Sequence, residues 1–334
     1  MIPNLLFAGR LNREYILPLE GAPIIDRAGG SPLYAAGVAT IWEKEIALLA
    51  RVGEDYPNQW LQNFSKAGIN TEGIQIIPGS LDLRSFRAYS EKRELSRSNP
   101  VKHFAERKLT FPKALLGYRP PEKREKFKIE RHPAIPLISE IPPDYLKSKA
   151  LHIAPLDFMS QGQLLTTFRA ASVPIITLDP SPRYMNSNRR QDLRLFLDGL
   201  TAFMPSEEEL RQLFWGETHD LWEMAAELGE FGCHTIIIKR GKKGQLLYDA
   251  HTHKRWELPA YASRVADPTG AGDAFCGGFL AGFQQNGDPL RAAAYGNVSA
   301  SLSMEGSGPF YPTEILPGLA QARLDALIGM VREI

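Results

Sequence analysis

Cysteine is scarce in this sequence of 334 residues, which contains only Cys233 and Cys276. Both lie in apolar stretches, and neither belongs to a pattern with the spacing of metal ligands. A disulfide framework and a structural zinc site are therefore not expected. Two unpaired thiols are typical of a protein that works in a reducing compartment, so we expect a cytoplasmic location.

The sequence also lacks a large net charge and long apolar runs. The chain has 39 Lys and Arg against 38 Asp and Glu, a formal net charge of +1. No overall field therefore favours nucleic acid or a membrane surface as a partner. No segment approaches the roughly 18 consecutive apolar residues of a membrane span. Residues 1–9 lack the basic start of a signal peptide and predict a first strand.

The segments that are present alternate between strands and helices. Buried strands are predicted at 5–9, 46–51 and 235–239, and the last is rich in β-branched residues. An amphipathic helix is predicted at 60–67 and ends at Gly68. With 43% hydrophobic residues, the chain can bury a large core. This order predicts an α/β fold with a parallel sheet and helices on both faces.

The most informative stretch is Asp267-Pro268-Thr269-Gly270-Ala271-Gly272-Asp273-Ala274-Phe275, which continues into an apolar helix. Gly270, Ala271 and Gly272 let backbone N–H groups converge at a helix start, where the helix dipole favours an anion. Asp273 would repel a ligand that is simply bound there. It can, however, take a proton from a nucleophile while the amides stabilise charge on a transferred group. The stretch thus predicts phosphoryl transfer to a hydroxyl, with a plain glycine-rich helix entry as the alternative.

The same stretch resembles the C-terminal signature of the PfkB, or ribokinase-like, family of carbohydrate and nucleoside kinases. The resemblance implies one ribokinase-like domain over residues 1–334, a three-layer α/β/α structure with a mostly parallel central sheet and a small β lid. It also implies ATP and Mg²⁺ as cofactors and a sugar or nucleoside as acceptor. A Walker A lysine loop and the protein-kinase motif set are absent from the sequence, so those kinase classes are set aside.

The N-terminal part resembles the substrate loop and N-terminal signature of the family. Asn12 matches an Asn that contacts sugar hydroxyls, and Glu14 stands where the family has Asp. Gly29 and Gly30 match glycines that let the backbone close on the sugar, whereas Tyr34 replaces an Asn. The ring of Tyr34 would either stack on the acceptor or pack in the core under its helix. These five residues form the predicted acceptor site.

Other family features imply nucleotide and metal sites. Gly241 and Gly244 follow a strand at a turn that the family places along ATP, and Asn297 corresponds to an Asn beside the adenine. Glu209 matches a Glu that orders water around Mg²⁺. Ser206 replaces the usual Asn of that motif and would equally form a helix capping box with Glu209. A site for a monovalent cation, K⁺, is implied at two further residues, Asp267 and Thr269.

Two segments are expected outside the central sheet. The family's β lid covers the substrate and is expected at about 12–28 and 74–90, where a homodimer through the lid would cover an exposed edge. Residues 91–143 fit no sheet pattern and predict an insertion. Between 91 and 131 it carries thirteen Lys or Arg against six Glu. This excess favours a solvated surface segment over a basic flap beside an acidic or phosphate-rich ligand. Apolar residues predict that part of the insertion packs on the rest: Phe104, Leu109, Phe111, Leu115 and Tyr118.

Three functions stay open on the sequence alone. The favoured one is ATP-dependent phosphoryl transfer to a hydroxyl of a small sugar-type acceptor. A nucleoside kinase of the same fold is the first alternative, which base stacking by Tyr34 would support. The second is an inactive ribokinase-fold protein that acts as a binding or scaffold subunit, for which Tyr34, Ser206 and the insertion argue. The intact run from Gly270 to Asp273 argues against it, because a scaffold needs no base at an anion site.

Overall fold

The computed structural model describes residues 1–92, 94–120 and 132–334. Within these ranges the strands are β1 (Leu5–Ala8), β2 (Asn12–Leu17), β3 (Ile24–Gly29), β4 (Ile46–Gly53), β5 (Ile69–Ile77), β6 (Arg84–Tyr89), β7 (Leu95–Ser96), β8 (Ala150–Ile153), β9 (Ile175–Leu178), β10 (Ala202–Phe203), β11 (Thr235–Lys239), β12 (Gln245–Asp249), β13 (Arg255–Leu258) and β14 (Arg332–Glu333). The helices are α1 (Ser31–Ala39), α2 (Asn58–Lys66), α3 (Pro100–Glu106), α4 (Phe158–Ala170), α5 (Arg194–Leu197), α6 (Glu207–Leu213), α7 (Leu221–Glu230), α8 (Ala271–Asn286), α9 (Pro289–Met304) and α10 (Leu319–Ile328).

The central sheet has the order β14-β13-β12-β11-β10-β9-β8-β1-β4-β5. Every pair from β5 to β11 is parallel, and β12, β13 and β14 add to this sheet in antiparallel order. The first strand lies inside the sheet, where Leu5 is opposite both Ile46 and Ala150. The predicted α/β class with a mostly parallel central sheet is confirmed.

Helices cover both faces of this sheet. Alternate side chains of β1 enter different cores: Leu6 and Ala8 join one cluster, and Leu5 and Phe7 join another. The first cluster includes buried residues of α4, α5, α6 and α7, whereas the second includes residues of α1, α2 and α8. The period of two in β1 thus produces the predicted three layers. None of the described helices combines the length and apolar character needed to cross a bilayer.

The lid is a separate sheet with the order β3-β2-β6-β7. Its first part agrees with the expected range, but the second expected range, 74–90, is wrong at its start. Residues 74–77 belong to β5, where Ile74 is opposite Ala50 of β4 in the central sheet. The lid resumes at β6 and takes its last strand, β7, from the segment predicted to be an insertion. The sequence pattern predicted that residues 74–77 form a strand, but it did not predict with which strand they pair.

The described part of the insertion covers the outer face of the lid. Tyr15 and Phe86 from the lid form a buried cluster with Phe104 of α3 and Leu115. The hydroxyl of Tyr118 accepts the N–H of Phe86 at 3.2 Å. All five apolar residues singled out in the insertion belong to this cluster or pack against it.

This packing has a consequence for the expected homodimer. The apolar outer face of the lid is buried by residues 100–118 of the same chain, so it is not open to a second copy in this conformation. Part of the basic excess of the insertion, six Lys or Arg against three Glu, falls on residue 93 and residues 121–131, which lie outside the described part of the chain. The basic-flap alternative therefore stays a prediction.

Replacing Phe104 with alanine tests the packing of the insertion on the lid. Phe104 is fully buried at 1% exposure, so Phe104→Ala is expected to lower the free energy of unfolding by about 3–5 kcal/mol. Val101 lies on the same helix at 58% exposure, and Val101→Ala is expected to change it by less than about 0.5 kcal/mol. Denaturant unfolding of both variants measures the difference. Equal effects would show that α3 does not pack on the lid.

Candidate active site

The start of α8 offers backbone donors to an anion. The N-cap residue of this helix is Gly270, whose φ of 78° lies in the left-handed region that favours glycine. The N–H of Ala271 donates to the carbonyl of Pro268 at 3.3 Å. The N–H groups of Gly270 and Gly272 have no acceptor among the described residues. Two of the three predicted anion-hole amides are therefore unpaired at a helix N-terminus.

Asp273 lies in the first turn of α8 and is partly exposed. Burial raises the pKa of its carboxyl group above the usual value. The Lys239 ammonium, a hydrogen bond from Ser31 and the Arg87 guanidinium act in the opposite direction, and Glu14 adds to the effect of burial. The Asp273 carboxyl group therefore binds a proton more tightly than an exposed aspartate does, and two cations oppose this shift.

A buried ion pair lies beside this helix start. The Nζ of Lys239, at the end of β11, donates to Oδ2 of Asp179, just after β9, at 2.7 Å. The two side chains are only 14% and 7% exposed. Burial alone would lower the pKa of Lys239, but the Asp179 carboxylate raises it above its usual value. An ammonium group is therefore held protonated at the carboxyl edge of the parallel strands.

Lys239 is a residue of the candidate site that the sequence motifs did not indicate. One signal was available, because ligands of open α/β sheets bind at the carboxyl ends of the strands, and Lys239 ends a predicted strand. The neighbouring Lys242 and Lys243 carry the same charge but are exposed. Burial, which the sequence does not give, is what separates Lys239 from them.

Glu14 is fully buried and bonded within its own chain. One carboxylate oxygen accepts the Tyr34 hydroxyl at 2.7 Å. The other accepts Arg87 Nη1 at 2.9 Å and the Gly30 N–H at 3.3 Å. A Cβ at Gly29 would lie 2.0 Å from the Glu14 carboxyl carbon, so only glycine leaves room for this side chain. The lid strand β2 is thereby tied to the start of α1.

Tyr34 connects the predicted acceptor site to the predicted anion site. Its side chain is 2% exposed, and a Cβ on Gly270 would lie 2.2 Å from the Tyr34 ring. Burial, and next the Glu14 charge, raises the pKa of the Tyr34 hydroxyl. Both the ring and the hydroxyl therefore contact protein, as in the core-packing alternative. Asn12 is half-buried beside Gly30, and its side chain has no hydrogen-bond partner in the described ranges.

The predicted nucleotide turn follows β11 at the same edge of the sheet. Gly241 and Gly244 have φ values of 55° and 81°. A Cβ on Gly244 would lie 2.0 Å from the carbonyl oxygen of Leu258, whereas nothing lies within 4 Å of a Cβ on Gly241. Gly244 therefore shapes the turn, and Gly241 leaves one side of it open.

Asn297 on α9 is engaged with protein groups. Its amide nitrogen donates to the Gln245 side chain at 2.7 Å and to the Pro259 carbonyl at 2.8 Å. Its amide oxygen accepts the N–H of Tyr261 at 2.9 Å. The residue thus fixes the loop after β13 against the start of β12, next to the predicted nucleotide turn.

The lid is docked on the stretch that begins at Asp267. The hydroxyls of Tyr89 and Thr269 are 2.9 Å apart. Arg27 Nη1 donates to the Ser307 carbonyl at 2.9 Å, and the Ser307 hydroxyl donates to Asp267 at 2.9 Å. The other Asp267 oxygen accepts the Thr269 N–H at 3.0 Å. Both oxygens of Asp267 therefore have protein donors, at the position where a monovalent cation was expected.

A match to a family profile identifies the family of this chain. The profile described as pfkB family carbohydrate kinase matches residues 147–316, about half of the chain. The chain belongs to the pfkB family. A cytidine kinase from Thermococcus kodakarensis is 31% identical over 292 residues, which are 86% of this chain and 90% of that protein. A ribokinase from Lactococcus lactis is 23% identical over 279 residues, or 82% and 78% of the two chains.

Solved structures show the same fold as this PfkB-family protein. A putative ribokinase II from E. coli, in complex with ATP and Mg²⁺, has a TM-score of 0.70 at 20% identity and covers 98% of this chain and 99% of its own. A nucleoside kinase from Burkholderia thailandensis in complex with inosine has a TM-score of 0.70 at 17% identity, with 97% and 99% coverage. The predicted family resemblance and the ribokinase-like fold are confirmed.

Glu209 of this PfkB-family protein forms the capping box of α6. One of its carboxylate oxygens accepts the N–H of Ser206 at 2.8 Å and the Ser206 hydroxyl at 2.7 Å. Glu209 also contributes to the electrostatic environment of Asp179 and Lys239. Glu209 therefore caps a helix, which is the structural alternative to the expected role in metal hydration.

Alanine substitutions at the two ends of α8 test the contact between Tyr34 and the helix start. Gly287, with φ of 65° and nothing within 4 Å of a Cβ, should lose about 1–2 kcal/mol of stability on Gly287→Ala from backbone strain alone. Gly270→Ala carries similar strain and must also displace the buried Tyr34 ring, so we expect a larger loss. Denaturant unfolding compares the two variants. Equal losses would contradict a close fit of Tyr34 against Gly270.

Proposed function

We propose that this chain is an ATP-dependent and Mg²⁺-dependent kinase that phosphorylates a hydroxyl group of a small sugar-type acceptor. One observation carries the proposal most directly. A carboxyl group, that of Asp273, lies in the first turn of α8 beside the unpaired N–H groups of Gly270 and Gly272. A base and an anion hole at one helix start suit a reaction in which a hydroxyl loses a proton while a phosphoryl group is transferred.

The proposed step assigns a role to each group. Asp273 takes the proton of the acceptor hydroxyl as its oxygen forms a bond to the γ-phosphorus of ATP. The bond between that phosphorus and the β–γ bridging oxygen breaks, ADP leaves, and Asp273 later releases its proton to solvent. The N–H groups of Gly270 and Gly272 stabilise negative charge on the phosphoryl oxygens during transfer. Ala271 contributes its N–H only if the contact with Pro268 opens.

The residues of the site fit a metal that arrives with the nucleotide. No cluster of three or more His, Cys, Asp or Glu in the described ranges could hold a metal ion by itself. Mg²⁺ commonly keeps several waters and is held by substrate phosphates with one or two carboxylates. Glu209 would orient such waters through the carboxylate oxygen that does not cap α6. When bound, the ion would neutralise charge on the ATP phosphates.

The nucleotide would lie along the edge of the sheet after β11. The open side of Gly241 and the turn shaped by Gly244 leave room for phosphates there. Asn297 would act indirectly, by fixing the loop at Tyr261 beside the adenine. The ATP and Mg²⁺ complex of the E. coli relative supports this choice of cofactors.

A nucleoside is the second candidate acceptor. The support comes from the T. kodakarensis cytidine kinase, which is similar over most of both chains. Base stacking by Tyr34 does not add to it, because the ring is buried against Gly270. Asn12, whose side chain has no hydrogen-bond partner among the described residues, is the predicted contact for an acceptor hydroxyl in either case.

The direct test measures ADP release from Mg-ATP with a panel of sugars and nucleosides that includes ribose and cytidine, with and without potassium. Asp273→Asn is expected to lower turnover by at least about 100-fold, because the general base is lost. Melting temperature and nucleotide binding should remain close to those of the wild type. Asp325→Asn, at an exposed position on α10, is the matched control and should leave turnover unchanged.

The outcomes separate the three functions. An acceptor that is turned over by the wild type but not by Asp273→Asn establishes a kinase and names its acceptor class. Equal turnover in the two proteins would contradict the assignment of the base. Failure of the wild type to bind ATP would favour a binding or scaffold protein. A rate that rises with potassium would support a cation effect near Asp267 and Thr269.

A further inference from the structure

The ion pair of Lys239 and Asp179 lies within contact distance of the first turns of α8. Cys276, one turn after Asp273, has its Sγ 3.7 Å from both Lys239 Nζ and Asp179 Oδ2. A Cβ on Gly272 would stand 3.8 Å from the same Nζ atom. The ammonium group is therefore close to the anion-hole residue Gly272 as well as to the turn that carries Asp273.

Lys239 is surrounded mainly by acidic groups. Asp179 is its direct partner, and Glu209 also acts on its charge. Among the charged groups around Asp273, the Lys239 ammonium is the first of those that lower the pKa of its carboxyl group. One buried ammonium, bonded to Asp179, thus lies in the electrostatic environment of three carboxyl groups before any nucleotide is bound. The groups that face Asp273 from the elements around it are Ser31 of α1, Glu14 of β2, Arg87 of β6, Asp179 after β9, Lys239 of β11 and Cys276 of α8.

We propose that Lys239 is a positioning residue of the phosphoryl-transfer step: its ammonium group, fixed by Asp179, keeps the carboxyl group of Asp273 ionised so that it can accept the hydroxyl proton. The proposal rests on the proposed kinase function for its consequence in catalysis. The electrostatic coupling between the two residues is a property of the ligand-free protein.

The balance of forces at Asp273 supports this role. Burial disfavours a carboxylate, and the nearby Glu14 carboxylate adds to that effect. Lys239 and Arg87 are the two cations that oppose it, and Arg87 is already paired with Glu14. Without Lys239 the pKa of Asp273 would rise further, which favours its protonated form, and a protonated carboxyl group cannot act as a base.

Asp179 has a separate part in this arrangement. A buried ammonium without a partner tends to lose its proton, which would remove the charge that acts on Asp273. The 2.7 Å contact with Asp179 prevents this, because it raises the pKa of Lys239. The pair therefore acts as a unit, in which Asp179 keeps the Lys239 side chain protonated.

The first test is a ¹³C NMR titration of aspartate carboxyl groups in the ligand-free protein, with the Asp273 signal assigned by its absence from Asp273→Asn. Lys239→Met is expected to raise the titration midpoint of Asp273 by about 1 pH unit or more. Lys239→Arg, which keeps the charge, should restore most of the wild-type midpoint. Lys66→Met, which removes an exposed lysine on α2, should leave it unchanged.

A second variant guards against failure to fold. Lys239→Met leaves Asp179 buried without its partner, whereas Asp179→Asn/Lys239→Gln replaces the pair with neutral groups that can still hydrogen-bond. The double variant loses the Asp179 carboxylate, which repels Asp273, together with the ammonium group, so its Asp273 midpoint should rise less than that of Lys239→Met. An unchanged midpoint in folded Lys239→Met, or a midpoint in the double variant below that of the wild type, would overturn the proposal.

The second test is the pH dependence of kcat/KM for whichever of ribose or cytidine is turned over, at saturating Mg-ATP. Since the reaction needs ionised Asp273, its acidic limb should move to higher pH in Lys239→Met, by the same shift as the NMR midpoint. A uniform loss of rate with an unmoved limb would show a merely structural role and would contradict the proposal. If the wild type turns over no acceptor, the kinase proposal fails, and the NMR titration still decides the coupling.

Discussion

The candidate site depends on ionised side chains that are buried and therefore need partners of opposite charge. Removing a carboxylate or an ammonium from water costs several kcal/mol unless a partner compensates. Two pairs meet this requirement near Asp273: Glu14 with Arg87 in the lid, and Asp179 with Lys239 in the central sheet. Each pair joins strands or loops that are distant in sequence. The electrostatic environment of Asp273 is therefore complete only when the lid and the sheet are both folded and docked.

Local sequence patterns were sufficient for the fold class and for the geometry at the start of α8, the centre of the candidate site. Alternation of buried strands with helices predicted the parallel sheet, because period-two burial and helical periodicity are properties of short segments. The run from Gly270 to Asp273 predicted a helix start with backbone donors and a carboxyl group, which is where the structure places them. The capping box of Ser206 and Glu209 was also visible, since it needs only residues three apart.

The features that the sequence did not reveal all depend on distant partners. Residues 74–77 have the apolar character of a strand, but nothing in that pattern says that they pair with β4 and not with the lid. Glu14 matched a substrate contact, whereas its longer side chain folds onto Tyr34 and Arg87 and is wholly buried. Lys239 ends a predicted strand, but its burial beside Asp179, which distinguishes it from the exposed Lys242, depends on a residue 60 positions away in the chain. These roles depend on contacts between residues that are far apart in the chain, and a single sequence does not reveal such contacts.

We propose that the transferred phosphoryl group lies against the Gly270 and Gly272 N–H groups, with the acceptor hydroxyl beside Asp273. A crystal structure with Mg²⁺, ADP, aluminium fluoride and the acceptor identified by the panel tests this most directly. We expect the fluoride, as a stand-in for the phosphoryl group, within hydrogen-bond distance of the Gly270 and Gly272 N–H groups. The acceptor hydroxyl should lie within hydrogen-bond distance of Asp273. Binding of the fluoride elsewhere, or an acceptor hydroxyl far from Asp273, would contradict these roles of the helix start and of Asp273.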